Sequence, residues 1–121
     1  MDDEEVIRKI AGKMIRHLGY QADFTKNGAE TIDLYQQAQK NNKPFDVIIM
    51  DLTIPGSIGG REALKKLVQI DPEVKAVVSS GYSTDPVMAN FRQYGFCDYI
   101  TKPYLIEELS RVLHKVINNK E

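Results

Sequence analysis

Strand-like and helix-like stretches alternate along this chain with only short connections between them, and that order admits few architectures. Apolar residues recur at helical spacing at Ile7, Ile10, Met14 and Leu18, predicting a first helix over residues 4–18 stopped by Gly19. Residues 21–25 alternate weakly and predict a short strand. After the punctuation of Asn27 and Gly28, Ala29, Ile32 and Leu34 open a second helix that fades in the polar run 39–43. Residues 45–50 predict a strand around Val47, Ile48, Ile49 and Met50, an unbroken apolar run of the kind found in parallel strands buried on both faces.

The pattern then repeats. Pro55, Gly56, Gly59 and Gly60 mark a loop, and Ala63, Leu64, Leu67 and Ile70 give one face of a third helix that ends before Asp71 and Pro72. Residues 76–79 predict a strand, and Asp85 with Pro86 opens a helix that closes at Gly95. Residues 99–101 predict the last strand. Residues 105–117 carry Leu109, Val112, Leu113 and Val116 as a final amphipathic helix. Such an order implies an α/β fold, a doubly wound parallel sheet with helices on both faces. Ligands of these sheets bind beyond the carboxyl ends of the strands, which is where chemistry is expected.

Size and charge narrow the reading. A chain of 121 residues fits one domain, 1–121, with a single core and no separate effector. Its 16 basic and 17 acidic residues nearly cancel, so neither nucleic acid nor a membrane surface is the expected partner. The apolar runs are too short to span a bilayer or to form a secretory signal, which gives a cytoplasmic expectation. Cys97 is the single cysteine, which excludes an intrachain disulfide and a thiolate metal cage.

At the expected sheet edge stand Asp2 and Asp3, ahead of the first helix, and Asp51, after the buried run. Three carboxylates brought together repel unless a cation intervenes, and hard oxygen donors suit Mg²⁺. Ser80 and Lys102 follow later strands, so a hydroxyl and an ammonium face the same edge, a combination suited to charge stabilisation in phosphoryl transfer. Taken singly these residues have plainer readings. Asp2 and Asp3 are acceptable as an acidic start to a helix, Asp51 as a loop aspartate, Lys102 as a solvated surface residue and Tyr99 as core. His17 and His114 read as surface or boundary residues on helices. The joint placement of Asp2, Asp3, Asp51 and Lys102 favours a site.

The pair Asp2 and Asp3, the run from Val47 through Asp51 to Gly56, the segment Ser79, Ser80 and Gly81, and the segment from Tyr99 through Lys102 to Pro103 together resemble the response-regulator receiver family. The resemblance covers nearly the whole chain. It implies the flavodoxin-like (CheY-like) fold, with Asp51 accepting phosphate from a phosphohistidine and Mg²⁺ held by Asp3, Asp51 and the backbone carbonyl of Thr53, with Asp2 acting through a metal-bound water. It further implies a switch pair, Ser80 and Tyr99, a lysine role for Lys102, and a cis bond before Pro103. Residues 79–88 resemble receivers of hybrid sensor histidine kinases. The implied partner is a sensor histidine kinase or a histidine phosphotransfer protein.

Other functions fit less well. Aspartate-based phosphatases resemble Asp-x-Asp, and here the second position is Thr53. A flavin-nucleotide binder needs a hydroxyl-rich loop where this chain has Asp2, Asp3, Glu4 and Glu5. A degenerate receiver used only for dimerisation or docking is the remaining alternative. One feature is at odds with the family: the acidic pair is preceded by Met1 alone, so the first, central strand reads as truncated. Losing about five buried apolar residues costs on the order of 10 kcal/mol. The expected resolutions are a start at an internal methionine, closing up of the remaining strands, or another chain covering the edge, including a homodimer.

Overall fold

The computed structural model describes residues 1–52, 54–81 and 85–118. Helix α1 spans Glu5–His17 and α2 Gly28–Lys40, and strand β1 follows at Ile48–Asp51. Then come α3 (Gly60–Ile70), β2 (Ala76–Ser80), a short α4 (Pro86–Ala89), a 3-10 turn (Phe91–Tyr94), β3 (Asp98–Thr101) and α5 (Ile106–Asn118). The three strands are parallel in the order β1-β2-β3, with Asp51 opposite Ser79 and Ser80 opposite Thr101.

Alternation along β2 divides the interior. Val78 points toward a cluster with Met50, Leu64, Leu67, Met88 and Phe96 beneath α2, α3 and α4. Val77 points the other way, to Ile100, Leu109, Val112 and Leu113 beneath α5, with Ile7, Ala11 and Met14 of α1 packed against them. Helices therefore cover both faces, and the doubly wound α/β reading holds. Every residue of β2 is buried, as a central strand requires.

Local signals account for the element ends. The Asn27 side chain accepts the Glu30 N–H at 3.0 Å while Glu30 accepts the Lys26 N–H at 2.8 Å, a reciprocal cap that starts α2. Asp85 caps α4 by accepting the Val87 N–H at 2.9 Å, with Pro86 in the first turn. The helix expected to run from there to Gly95 is broken instead into α4 and the 3-10 turn, and Gly95 ends it at φ 95°, a conformation that glycine adopts without strain.

The strand expected at residues 21–25 does not form. A strand is defined by its ladder, and among the described residues this stretch is tied to the start of the chain by the Asp2 N–H to Thr25 C=O bond at 3.1 Å, not by a ladder. The sheet does not close up over the gap, and the order of its strands is undisturbed. On the other side Met1 takes a parallel rung against β1, its ammonium donating to Ile49 C=O at 2.7 Å and its carbonyl accepting the Asp51 N–H at 2.9 Å. Asp2 is thereby held at the sheet edge.

Candidate functional site

Asp51 closes β1 at the carboxyl edge and is only 6% exposed. The end of the strand is packed from below by α3. A Cβ on Gly60 would lie 2.9 Å from the Asp51 carbonyl oxygen, so this approach of helix to strand requires glycine. Lys102, just beyond β3, reaches across with Nζ 3.2 Å from Asp51 Oδ2 and 2.8 Å from Asp2 Oδ2. One ammonium thus bridges two buried carboxylates. The second oxygen of Asp2 accepts the Glu4 N–H at 3.0 Å, and the Arg8 guanidinium donates to its carbonyl at 2.9 Å.

The electrostatics are those of crowded acids around one cation. Burial pushes the Asp51 carboxyl up to about 6; the Lys102 ammonium opposes this, while the charges of Asp2 and Asp3 add to it. Burial works against the charge on Lys102, but the hydrogen bond to Asp2 and the charge of Asp51 outweigh it and raise its pKa. Carboxylate oxygens of Asp2, Asp3 and Glu4 lie within 4.8 Å of one another, with Asp3 and Glu4 open to solvent. A hard, oxygen-seeking cation suits this donor set, since it offsets the mutual repulsion of the carboxylates. Glu4 was not legible as a candidate ligand, because it reads as the first residue of a helix.

The remaining candidates fall as follows. Ser80 ends β2, one rung beyond the partner of Asp51, and its carbonyl accepts the Lys102 N–H at 2.9 Å. Ser79 points to the opposite face and is fully buried against the Tyr104 hydroxyl at 2.7 Å, which leaves Ser80 as the hydroxyl at the edge. Tyr99 is 41% exposed, its ring turned outward against Phe91 at 5.4 Å between centroids. The Lys102–Pro103 bond is cis. Thr53 lies outside the described residues, as do residues 82–84 of the segment that resembles hybrid-kinase receivers. Tyr104 and Arg8 were missed by sequence reasoning; a tyrosine immediately after Lys102 and Pro103 was the available hint for the first.

Comparison with known proteins agrees with this geometry. The family model of the response regulator receiver domain matches residues 1–114. The chemotaxis protein CheY of Thermotoga maritima is 30% identical over 96% of this chain and 92% of its own length. The two-component response regulator ARR12 of Arabidopsis thaliana is 27% identical over 99% of this chain, which spans 19% of that larger protein. Among solved structures, the receiver domain of the sensor histidine kinase PA1611 of Pseudomonas aeruginosa, with magnesium in its active-site cleft, superposes with a TM-score of 0.84. It is 23% identical and covers 98% of this chain and 94% of that one. The CheY of a CheX–CheY–BeF3–Mg complex from Borrelia burgdorferi gives 0.85 at 18% identity, over 98% and 86%. The fold, the carboxyl-edge acids and these matches lead to one assignment: the chain belongs to the response regulator receiver domain family of two-component signalling.

Proposed function

We propose that Asp51 is the phosphoacceptor of a two-component phosphorelay. The observation that carries this reading is the Lys102 ammonium lying between the carboxylates of Asp2 and Asp51 at the sheet edge. In the transfer, an Asp51 carboxylate oxygen attacks the phosphorus of a phosphohistidine; the new P–O bond forms as the P–N bond breaks, and the imidazole leaves. Chemistry of this kind needs positioned charge more than covalent help from the protein. Lys102 compensates a phosphoryl oxygen, and the Ser80 hydroxyl donates to another.

Asp2, Asp3, Asp51 and the Thr53 carbonyl are the residues that would hold Mg²⁺, and Glu4 clusters with Asp2 and Asp3. When bound, the ion supplies positive charge against the incoming phosphoryl group and keeps Asp51 ionised. Tyr99 reports the outcome, turning inward behind Ser80 once that hydroxyl engages phosphate. The partner is a sensor histidine kinase or a histidine phosphotransfer protein, and the setting is cytoplasmic; among the described residues no helix is long and apolar enough to cross a membrane.

Acetyl phosphate labelling in Mg²⁺ tests the assignment. The protein should take up one phosphoryl group that base and hydroxylamine remove, and Asp51→Asn should take up none. Undiminished labelling of that variant overturns the proposal.

A further inference from the structure

Two hydroxyls face each other in the apolar layer beneath α5. Ser79 Oγ and the Tyr104 phenol oxygen lie 2.7 Å apart, with Ser79 fully buried and Tyr104 only 8% exposed. Tyr104 packs there with Val77, Ile100, Leu109 and Val112. Packing alone asks for no oxygen at either position, since phenylalanine and alanine would fill much the same space. A buried hydroxyl pair adds little net stability over apolar groups of the same shape; what it does is select one arrangement.

That arrangement fixes the span between Lys102 and Asp51. Ser79 stands opposite Asp51 in the sheet, and its carbonyl accepts the Leu52 N–H at 2.9 Å, so its backbone holds the end of β1. Its side chain holds Tyr104, two residues past Lys102. The next residue along β2, Ser80, accepts the Lys102 N–H at 2.9 Å through its carbonyl. Lys102 is therefore tied to β2 from both sides, by its own N–H and by the Tyr104 hydroxyl, while the strand that ends in Asp51 is tied to the same place. The Lys102 side chain, 15% exposed, then brings Nζ to 3.2 Å from Asp51 Oδ2.

We propose that Tyr104, acting through Ser79, is a positioning residue for phosphoryl transfer: the hydroxyl pair holds the turn after β3 so that the Lys102 ammonium stays in register with Asp51. The inference rests on the phosphoacceptor reading of Asp51. Tyr104 touches no reacting atom. Displacement of the turn it anchors reaches the site through the ammonium, and a small misplacement of a compensating charge is costly to transfer.

The test measures acetyl phosphate labelling of the full chain in saturating Mg²⁺, well below each variant's melting temperature. Tyr104→Phe should lower the maximal rate by about tenfold and leave the half-saturating acetyl phosphate concentration unchanged. Ser79→Ala breaks the same bond from the other side and should slow labelling equally. In the double variant no hydroxyl is stranded, so stability recovers in part while labelling stays slow; that variant carries the prediction if either single one does not fold. A parental maximal rate in the folded variants overturns the inference. So does a rate that recovers together with stability in the double variant, because the bond is then only structural. Either result, with Asp51→Asn still unlabelled, leaves the phosphoacceptor reading standing; undiminished labelling of Asp51→Asn removes that reading and this inference with it.

Discussion

The Tyr104 hydroxyl lies 2.7 Å from the Ser79 hydroxyl in the fully packed layer beneath α5, a tie between the middle strand and the turn that carries Lys102. Burial pushes the Tyr104 phenol up to about 12, with the hydrogen bond to Ser79 opposing, so the phenol is neutral at all working pH values. Tyr104→Phe leaves the Ser79 hydroxyl buried without that partner, and the expected cost is about 1–3 kcal/mol in urea unfolding. Ser79→Ala in the same background should recover part of it, because both polar groups are then gone; a strictly additive double mutant would show that the bond contributes nothing.

Lys102 is the compensating charge for two buried acids. Lys102→Met should slow acetyl phosphate labelling by about 10²-fold or more, the scale expected for removing one charge-stabilising donor. It should also make the chain less stable at neutral pH than at pH 5, since Asp2 and Asp51 then lack their cation. Wild-type labelling rates would remove Lys102 from the transfer step.

Asp51 gives a pH signature. Its folded pKa of about 6 lies above the ordinary 3.8, so between these values the native state holds a proton that the unfolded chain has lost. Stability from this group therefore falls as pH rises from about 4 to 6 and stays reduced above that. Asp51→Asn removes the loss and should raise stability at pH 7 by on the order of 1–3 kcal/mol in metal-free buffer, with little gain at pH 4. Mg²⁺ should stabilise the wild type at pH 7 and the variant much less, with chelator reversing the effect. Thermal melts at the two pH values check the sign.

The reciprocal cap of α2 is a purely structural test. Asn27→Ala removes the acceptor of the Glu30 N–H, and the expected loss is about 1 kcal/mol with phosphorylation rates unchanged. Slowed labelling of a folded Asn27→Ala protein would mean that α2 reports to the site.

Much of this is legible in the sequence. The unbroken apolar run Val47, Ile48, Ile49 and Met50 marks a parallel strand, and the strand-end rule places Asp2, Asp51 and Lys102 at one edge. Residues 21–25 were misread because local alternation says nothing about whether a ladder partner exists. The choice between Ser79 and Ser80 rested on a following glycine; the structure supplies the physical reason, the parity that sends Ser79 to Tyr104. The outward ring of Tyr99 was not readable, because a side-chain rotamer depends on tertiary neighbours such as Phe91.

Asp98 has a consequence for speed. Its buried carboxylate accepts the Tyr99 N–H at 2.8 Å and meets Lys115 at 3.4 Å, while β3 is locked to β2 on either side of that residue. The backbone beneath Tyr99 is thus anchored, and its ring turns by rotation about the side-chain bonds alone. Exposed rings of this kind reorient in picoseconds to nanoseconds, far faster than strands or domains move, so in the proposed switch the turn of Tyr99 would not be the slow step.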